Sequence, residues 1–249
     1  MFNSETTQKL RSMKLSTMAK YFDQQLTNAD ISNLSFEERF GMLVDIEWAT
    51  RQNNRLKRLI RAANYAEPSA ALENIDYAPD RKLDRTLIER LATCAYIEKR
   101  HNVILLGATG SGKTYIANAL GMTASRNFMT VKYIRLPELL ADLAIARSEG
   151  TYKKVLKAYK TVSLLIIDEW LLTPLGDVES RDLLEIAEGR YHKASTIFCS
   201  QFAVEGWHEK IGDPTLADAI VDRIVHDAYT IVIIGKESMR KKNGISTES

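Results

Sequence analysis

The sequence lacks a disulfide framework, an export signal and a membrane span. Its 249 residues include two cysteines, Cys94 and Cys199, without metal-ligand spacing, which predicts reduced core thiols in a cytoplasmic protein. The first twenty residues carry scattered basic side chains and no continuous apolar stretch, which excludes a secretory signal. The longest apolar runs are far shorter than the ~18 residues of a membrane-spanning helix. The net charge of +2 is too small to indicate a nucleic-acid partner, so local clustering must decide that question.

Two parts of the chain differ in periodicity. Residues 1–66 have apolar side chains at helical spacing, such as Leu10, Met13, Phe36 and Phe40, and predict a small helical domain in which Ser35 caps a helix. Residues 67–83 contain two prolines and no sustained period, which predicts a linker. Residues 84–249 begin with a helix, expected from residue 84 to residue 100, and then alternate β-rich runs with helices.

The β-rich runs predict a parallel sheet. They are continuous apolar segments separated by helices, which implies burial on both faces and a layered α/β/α domain. The five predicted strands are Asn102–Leu106, Thr130–Ile134, Leu164–Ile167, Thr196–Ser200 and Thr230–Ile234.

A phosphate-binding loop follows the first predicted strand. It reads Gly107-Ala108-Thr109-Gly110-Ser111-Gly112-Lys113-Thr114, and a helix follows from Tyr115. Glycines let the backbone N–H groups turn inward, and the helix N-terminus favours a polyanion. We therefore expect residues 107–115 to bind ATP, with Lys113 at the β- and γ-phosphates and the Thr114 hydroxyl on Mg²⁺.

Polar side chains end two further strands. Asp168 and Glu169 follow a buried run and reach the sheet edge where ligands bind. Asp168 is expected to hold Mg²⁺, and Glu169 is expected to act as the general base for water, which separates an ATPase from a mere binder. Ser200 and Gln201 end the next strand, where one of them either senses the γ-phosphate and positions water or is a simple turn residue.

These motifs resemble the AAA+ ATPases of the initiator and helicase-loader clade, and most closely the IstB family of insertion-sequence transposition helpers. The likeness covers nearly the whole chain. The Walker motifs alone do not choose among P-loop families, and the most specific part is Trp207–Arg223. The resemblance rests on Lys9–Leu15, Gly107–Thr114, Leu165–Glu169, Trp207–Arg223 and Glu237–Lys241.

The resemblance implies an AAA+ core that works as a homo-oligomer. Arg223 matches the arginine that such ATPases insert into the neighbouring subunit's nucleotide site, although a surface arginine paired with Asp222 or Asp227 is an equal alternative. Arg190 is a second candidate for a trans contact. Too few residues follow Gln201 for a full helical lid domain, which leaves the role of Arg240 open.

Two basic clusters are candidates for DNA contacts. In the initiator clade, a helical insertion near the second cluster contacts DNA. Lysine and arginine faces of this kind would bind double-stranded DNA through its phosphates without reading sequence, whereas a solvated helix face is the alternative for each. The candidate residues are Arg51, Arg55 and Arg58 in the first cluster and Lys153, Lys154, Lys157 and Lys160 in the second.

The preferred function is an ATP- and Mg²⁺-dependent ATPase that assembles on target DNA and recruits and stimulates a transposase. A replicative helicase loader shares the same core and is the nearest alternative. A small-molecule kinase would need a substrate hydroxyl pocket and an arginine-rich lid, and the sequence indicates no such lid. A nucleotide-switched binding module without turnover would be indifferent to loss of Glu169.

Overall fold

The computed structural model describes residues 2–234, including all their side chains except those of residues 2, 3, 29 and 32. The motif at residues 237–241, with Arg240, lies outside this range. The chain divides into a first unit that ends at Arg58 and a second that begins at Leu59. The sequence-based boundaries at residues 66 and 84 remain a prediction.

The first unit is helical. Its elements are α1 (Phe2–Ser12), α2 (Ser16–Thr27), α3 (Ala29–Ser32) and most of α4 (Phe36–Ala63). Ser35 caps α4 as its spacing predicts, because the Glu38 N–H donates to Ser35 Oγ at 3.2 Å and the Ser35 N–H donates to Glu38 Oε2 at 2.8 Å. Glu47 is buried and accepts hydrogen bonds from the Met18 N–H and from Arg51 Nε, which ties α4 to the start of α2.

The second unit alternates helices with strands. After two short 3₁₀ turns at Leu72–Asn74 and Pro79–Arg81, its elements are α5 (Arg85–Ala92), α6 (Ala95–Glu98), β1 (Asn102–Gly107), α7 (Lys113–Arg126), β2 (Val131–Arg135), α8 (Leu136–Ser148), α9 (Tyr152–Thr161), β3 (Leu164–Trp170), α10 (Asp177–Arg190), β4 (Ser195–Ser200), α11 (Trp207–Ile211), α12 (Pro214–Val225) and β5 (Ala228–Ile233). Among the described residues, no helix has the length and apolarity needed to cross a bilayer.

The five strands form one parallel sheet in the order β2-β3-β4-β1-β5. Side chains alternate between its two faces: Val103 and Leu105 pack into one apolar cluster, whereas Ile104 packs into the other. Burial on both faces explains the continuous apolar runs in the sequence. The predicted parallel α/β P-loop fold with a preceding helical region is confirmed.

One helix differs from expectation. The segment expected to form a single helix from residue 84 to residue 100 is broken into α5 and α6, because Cys94 lies in the left-handed region with φ 61°. Both cysteines are buried and free of disulfide bonds.

Candidate active site

The loop between β1 and α7 is shaped by its glycines. Gly112 has φ 95°, a conformation that side-chain-bearing residues rarely adopt, and it immediately precedes the first turn of α7. A Cβ at Gly107 would lie 2.6 Å from the Ile233 carbonyl oxygen of the neighbouring strand β5. The loop therefore needs glycine at both positions, at Gly107 to pass close to β5 and at Gly112 to enter α7.

Lys113 is the first residue of α7, and its side chain reaches back to the loop. Its ammonium donates to the carbonyl oxygens of Gly107 at 2.6 Å and Ala108 at 2.8 Å. Burial lowers the pKa of this lysine, because the charged form is partly removed from water. A buried ammonium held only by neutral carbonyls is well placed to gain a phosphate oxygen.

Asp168 meets the loop at the carboxyl edge of the sheet. Its Oδ2 accepts hydrogen bonds from Thr114 Oγ1 at 2.6 Å and from Tyr133 Oη at 3.0 Å, and its Oδ1 accepts from the Glu169 N–H at 2.8 Å. The threonine hydroxyl and the carboxylate thus converge, and they offer the hard oxygen ligands that Mg²⁺ prefers. The residues present fit a nucleotide-bound Mg²⁺.

Glu169 lies on a strained turn at the end of β3. Both Glu169 and Leu171 have φ 54°, and the pairing of β3 with β4 shifts register between Ile167 and Trp170. Positive φ in such residues costs energy and is concentrated at functional sites. The Glu169 carboxylate lies 3.8 Å from Arg135 Nη1, and Arg135 also pairs with Glu138. The candidate base is therefore partly exposed beside a cation.

A cavity of about 580 Å³ opens beside the loop. One wall comes from the segment at residues 67–83, which the sequence predicted to be a linker, and the other from the loop and the start of α7. The lining residues are Glu67, Asn74, Ile75, Asp76, Arg81, Gly110, Gly112, Lys113, Thr114, Tyr115 and Ile116. Tyr115 joins the two walls, because its hydroxyl donates to the Ala71 carbonyl and accepts from the Ala71 N–H.

The two polar residues after β4 have different surroundings. Ser200 is fully buried, and its hydroxyl donates to the Trp170 carbonyl and accepts from the Phe202 N–H. Gln201 is exposed, and its Oε1 accepts a hydrogen bond from Thr109 Oγ1 in the loop at 2.8 Å. Ser200 thus joins two strand ends, and Gln201 is the one of the two that reaches the loop. A role for either residue at the γ-phosphate stays a prediction.

Comparison with known proteins agrees with this geometry. The family model described as "IstB-like ATP binding protein" matches residues 8–247. The chain belongs to this family. An insertion sequence ATP-binding protein of Sinorhizobium fredii is 42% identical over 236 residues, which cover 95% of this chain and 96% of that protein. The ATP-binding protein of insertion sequence IS21 from Pseudomonas aeruginosa is 30% identical over 243 residues, covering 96% and 91%.

Solved structures share the fold of this IstB-like chain. The crystal structure of DnaI has a TM-score of 0.56 at 22% identity and covers 71% of this chain and 93% of that chain. DnaA from Aquifex aeolicus, solved with AMPPCP, has a TM-score of 0.54 at 20% identity and covers 66% and 50%. These likenesses show that the second unit shares its fold with DnaI and DnaA.

The two candidate trans arginines lie away from the loop. Arg223 is in the last turn of α12, whose Ile224 carbonyl accepts from Asn102 at the start of β1. The length of β1, roughly 16 Å at ~3.3 Å per residue, therefore separates this region from the loop. Arg223 donates to the Ala219 carbonyl and to Glu188 Oε1 at 3.0 Å. It pairs with Glu188 and not with Asp222 or Asp227.

Arg190 is not available to another subunit. It is 3% exposed, and its guanidinium donates to Thr196 Oγ1 and to the carbonyls of Tyr159, Val162 and Ser195. Burial lowers its pKa to about 9, so the side chain stays charged at neutral pH. This contradicts the prediction of a trans contact and makes Arg190 a structural residue that joins α9, α10 and β4.

The basic clusters are only partly available to DNA. Arg51 donates to Glu47 and to the Lys14 carbonyl, so it stabilises the first unit, while Arg55 and Arg58 are exposed on α4. Lys160 pairs with Glu185 at 2.6 Å on α10. The exposed lysines of α9 are Lys153, Lys154 and Lys157.

Sequence reasoning missed two side chains at the site, Tyr133 and Arg81. Tyr133 is the third residue of β2 and reaches Asp168 across the pair of strands. Arg81 is buried and donates to the Ser111 carbonyl in the loop at 2.7 Å. The alternation along β2 could have placed Tyr133 on a sheet face, whereas no local pattern marks Arg81.

Proposed function

We propose that this IstB-like protein is an ATP-hydrolysing, DNA-binding ATPase that assembles on target DNA and recruits and stimulates a transposase in insertion-sequence transposition. The observation that carries the proposal is the convergence of Lys113, Thr114, Asp168 and Glu169 at one edge of the sheet, in a chain of a family named for ATP binding. The buried free thiols suit action in the cytoplasm.

The hydrolytic step would use groups that the fold already positions. Lys113 and the loop N–H groups would bind the β- and γ-phosphates, and Thr114 and Asp168 would hold Mg²⁺, which when bound would neutralise charge on the phosphate oxygens. Glu169 orients a water molecule and takes its proton as the water oxygen bonds to the γ-phosphorus and the bond to the β-phosphate oxygen breaks. Gln201, which accepts a hydrogen bond from Thr109 in the loop, would report on the terminal phosphate.

Assembly would complete this site. Arg223 cannot reach the loop of its own chain, because the length of β1 lies between them. Its exposed ion pair with Glu188 is weak enough to exchange for a phosphate on a neighbouring copy. We propose that Arg223 contacts the γ-phosphate of the next subunit and that turnover therefore depends on oligomers.

DNA contact is assigned to the exposed lysines of α9, with Arg55 and Arg58 as a second contact. Replacing Lys153, Lys154 and Lys157 with glutamate should weaken binding to duplex DNA of any sequence and flatten its salt dependence, since each lost phosphate contact removes about 0.9 from the slope of log K against log salt. Lys160→Glu is not an equivalent control, since it breaks the Glu185 pair; Lys99→Glu, at an exposed site in the turn after α6, serves instead. An unchanged salt slope in the triple variant would remove α9 from the interface.

A helicase loader remains the alternative function, and its support here is the shared fold with DnaI and DnaC. A small-molecule kinase is less well supported, because the Glu169 carboxylate beside Asp168 can activate water as the phosphate acceptor.

The proposal is tested by steady-state ATP hydrolysis and light scattering with and without long duplex DNA. The expected result is that DNA and ATP together produce large assemblies and raise turnover, and that added transposase raises it further. ATP turnover by monomers that does not change with DNA or transposase would contradict the proposal. It would favour the small-molecule kinase instead. Lys113→Ala supplies the background rate in each condition.

A further inference from the structure

Among residues 59–234, two arginines are buried, Arg81 and Arg190, and their guanidinium groups differ in how many hydrogen bonds they make. The Arg190 guanidinium donates hydrogen bonds to one hydroxyl and to several backbone carbonyls. Arg81 is equally buried at 5% exposure, but it makes hydrogen bonds only to the carbonyls of Asp76 and Ser111. A guanidinium has five N–H donors. Within residues 2–234, Nη1 and Nη2 of Arg81 make one hydrogen bond each, and no carboxylate forms an ion pair with the side chain.

This difference leaves the Arg81 guanidinium with donors for an anion. A cation that is largely removed from bulk water and has no carboxylate partner gains from an anion placed beside it. Arg81 lines the cavity that also contains Gly110, Gly112, Lys113 and Thr114. The anion that this cavity is built to receive is a polyphosphate.

The backbone fixes Arg81 at this place from three sides. Its carbonyl accepts from the Ile234 N–H just after β5, its guanidinium bonds the loop at Ser111, and it ends the 3₁₀ turn Pro79–Arg81. A side chain held by the loop, the end of the sheet and the cavity wall is preorganised, so little conformational entropy remains to be lost when an anion binds.

We propose that Arg81 is a nucleotide-binding residue that contacts the phosphate chain of the bound nucleotide and so adds a second buried cation to Lys113. The inference rests on the proposed ATP binding. The segment at residues 67–83 would then recognise the number of phosphates in addition to forming one wall of the cavity. A guanidinium suits this task because it offers planar, paired donors to phosphate oxygens.

The test compares the affinities of Arg81→Met, Arg81→Lys and wild type for AMP and ADP, measured by calorimetry in EDTA so that Mg²⁺ makes no contribution. Met keeps the length of the stem without the charge. The expected result is that Arg81→Met lowers the preference for ADP over AMP by about tenfold, the size of a charge-assisted hydrogen bond, and that Arg81→Lys recovers part of it. Arg85→Met removes an exposed charge from the same region and should leave the preference unchanged.

Two outcomes would overturn the inference. If Arg81→Met weakens AMP and ADP equally, the arginine only supports the cavity wall. If Arg81→Met and Arg81→Lys both keep the full preference for ADP over AMP, the charge has no role. Circular dichroism checks that Arg81→Lys is folded. A wild-type protein that binds neither nucleotide contradicts the proposed function instead, which keeps the two failures distinct.

Discussion

At the carboxyl edge of the sheet, the Lys113 ammonium donates to two neutral carbonyls and Glu169 has a strained backbone with φ 54°. At the amino edge, Arg190 donates to five oxygen acceptors, and Asn102 bonds both the Thr196 N–H and the Ile224 carbonyl. Polar groups at the carboxyl edge are available to bind ligands, whereas those at the amino edge stabilise the fold. Arg223 departs from this rule, since it lies at the amino edge with a carbonyl of its own helix and a solvent-accessible ion pair as its contacts.

The largest effect is expected at the strained edge. Glu169→Gln should reduce ATP turnover by roughly a hundredfold to ten-thousandfold, because general-base catalysis contributes that much, while ATP binding persists. The variant should accumulate ATP-bound assemblies on DNA, measured by light scattering with phosphate release. Glu89→Gln, at an exposed ion pair on α5, is the matched control and should behave as wild type. Normal turnover in Glu169→Gln would favour a nucleotide-switched binding module.

A substitution at the amino edge should lower the stability of the fold and leave ATP binding unchanged. Arg190→Met leaves the carbonyls of Tyr159, Val162 and Ser195 without their donor, so the free energy of unfolding should fall by about 3 kcal/mol. Denaturant unfolding measures this change. ATP affinity at a temperature where the variant is folded should stay within twofold of wild type, in the range of experimental scatter. A stable Arg190→Met protein with impaired turnover would reverse the assignment of the two edges.

A smaller effect is expected for Tyr133, whose hydroxyl helps to orient Asp168. Burial and the neighbouring carboxylate raise the pKa of this tyrosine, so its hydroxyl stays protonated and donates to Asp168. Tyr133→Phe should raise the Mg²⁺ concentration needed for tight ATP binding by about tenfold, as expected for an outer-shell partner of a metal ligand.

Tyr159 provides the control for that measurement. It is also buried and donates to a carboxylate, Asp142, at 2.6 Å, but it lies outside the site. Tyr159→Phe should change stability by a similar amount and leave the Mg²⁺ requirement unchanged. Equal Mg²⁺ curves for the two variants would show that the Tyr133 hydroxyl only contributes to packing.

Features encoded in contiguous stretches could be predicted from the sequence. The strands were visible because burial on both faces demands continuous apolar runs, and the loop at residues 107–114 was visible because glycine, lysine and threonine are needed at fixed spacing. The carboxylates of Asp168 and Glu169 followed from the rule that ligands bind at the carboxyl ends of parallel strands.

Features that depend on contacts between distant segments could not be predicted. Arg190 was a candidate for a trans contact because nothing local shows that β4 and the end of α9 enclose it. Ser200 and Gln201 looked equivalent until the pairing of β3 with β4 buried one of them. The wall at residues 67–83 has no period of its own, because its order comes from packing against α7 and from Arg81.

The most direct test of the central claim, a site completed by a neighbouring copy, is a mixing experiment on DNA-stimulated ATP hydrolysis. Lys113→Ala keeps Arg223 but cannot bind phosphate, whereas Arg223→Ala keeps the loop but supplies no arginine. The account predicts that each variant alone is nearly inactive and that an equimolar mixture regains measurable turnover, because intact loops then meet intact arginines. A mixture no more active than its components, or full activity of Arg223→Ala alone, would contradict it.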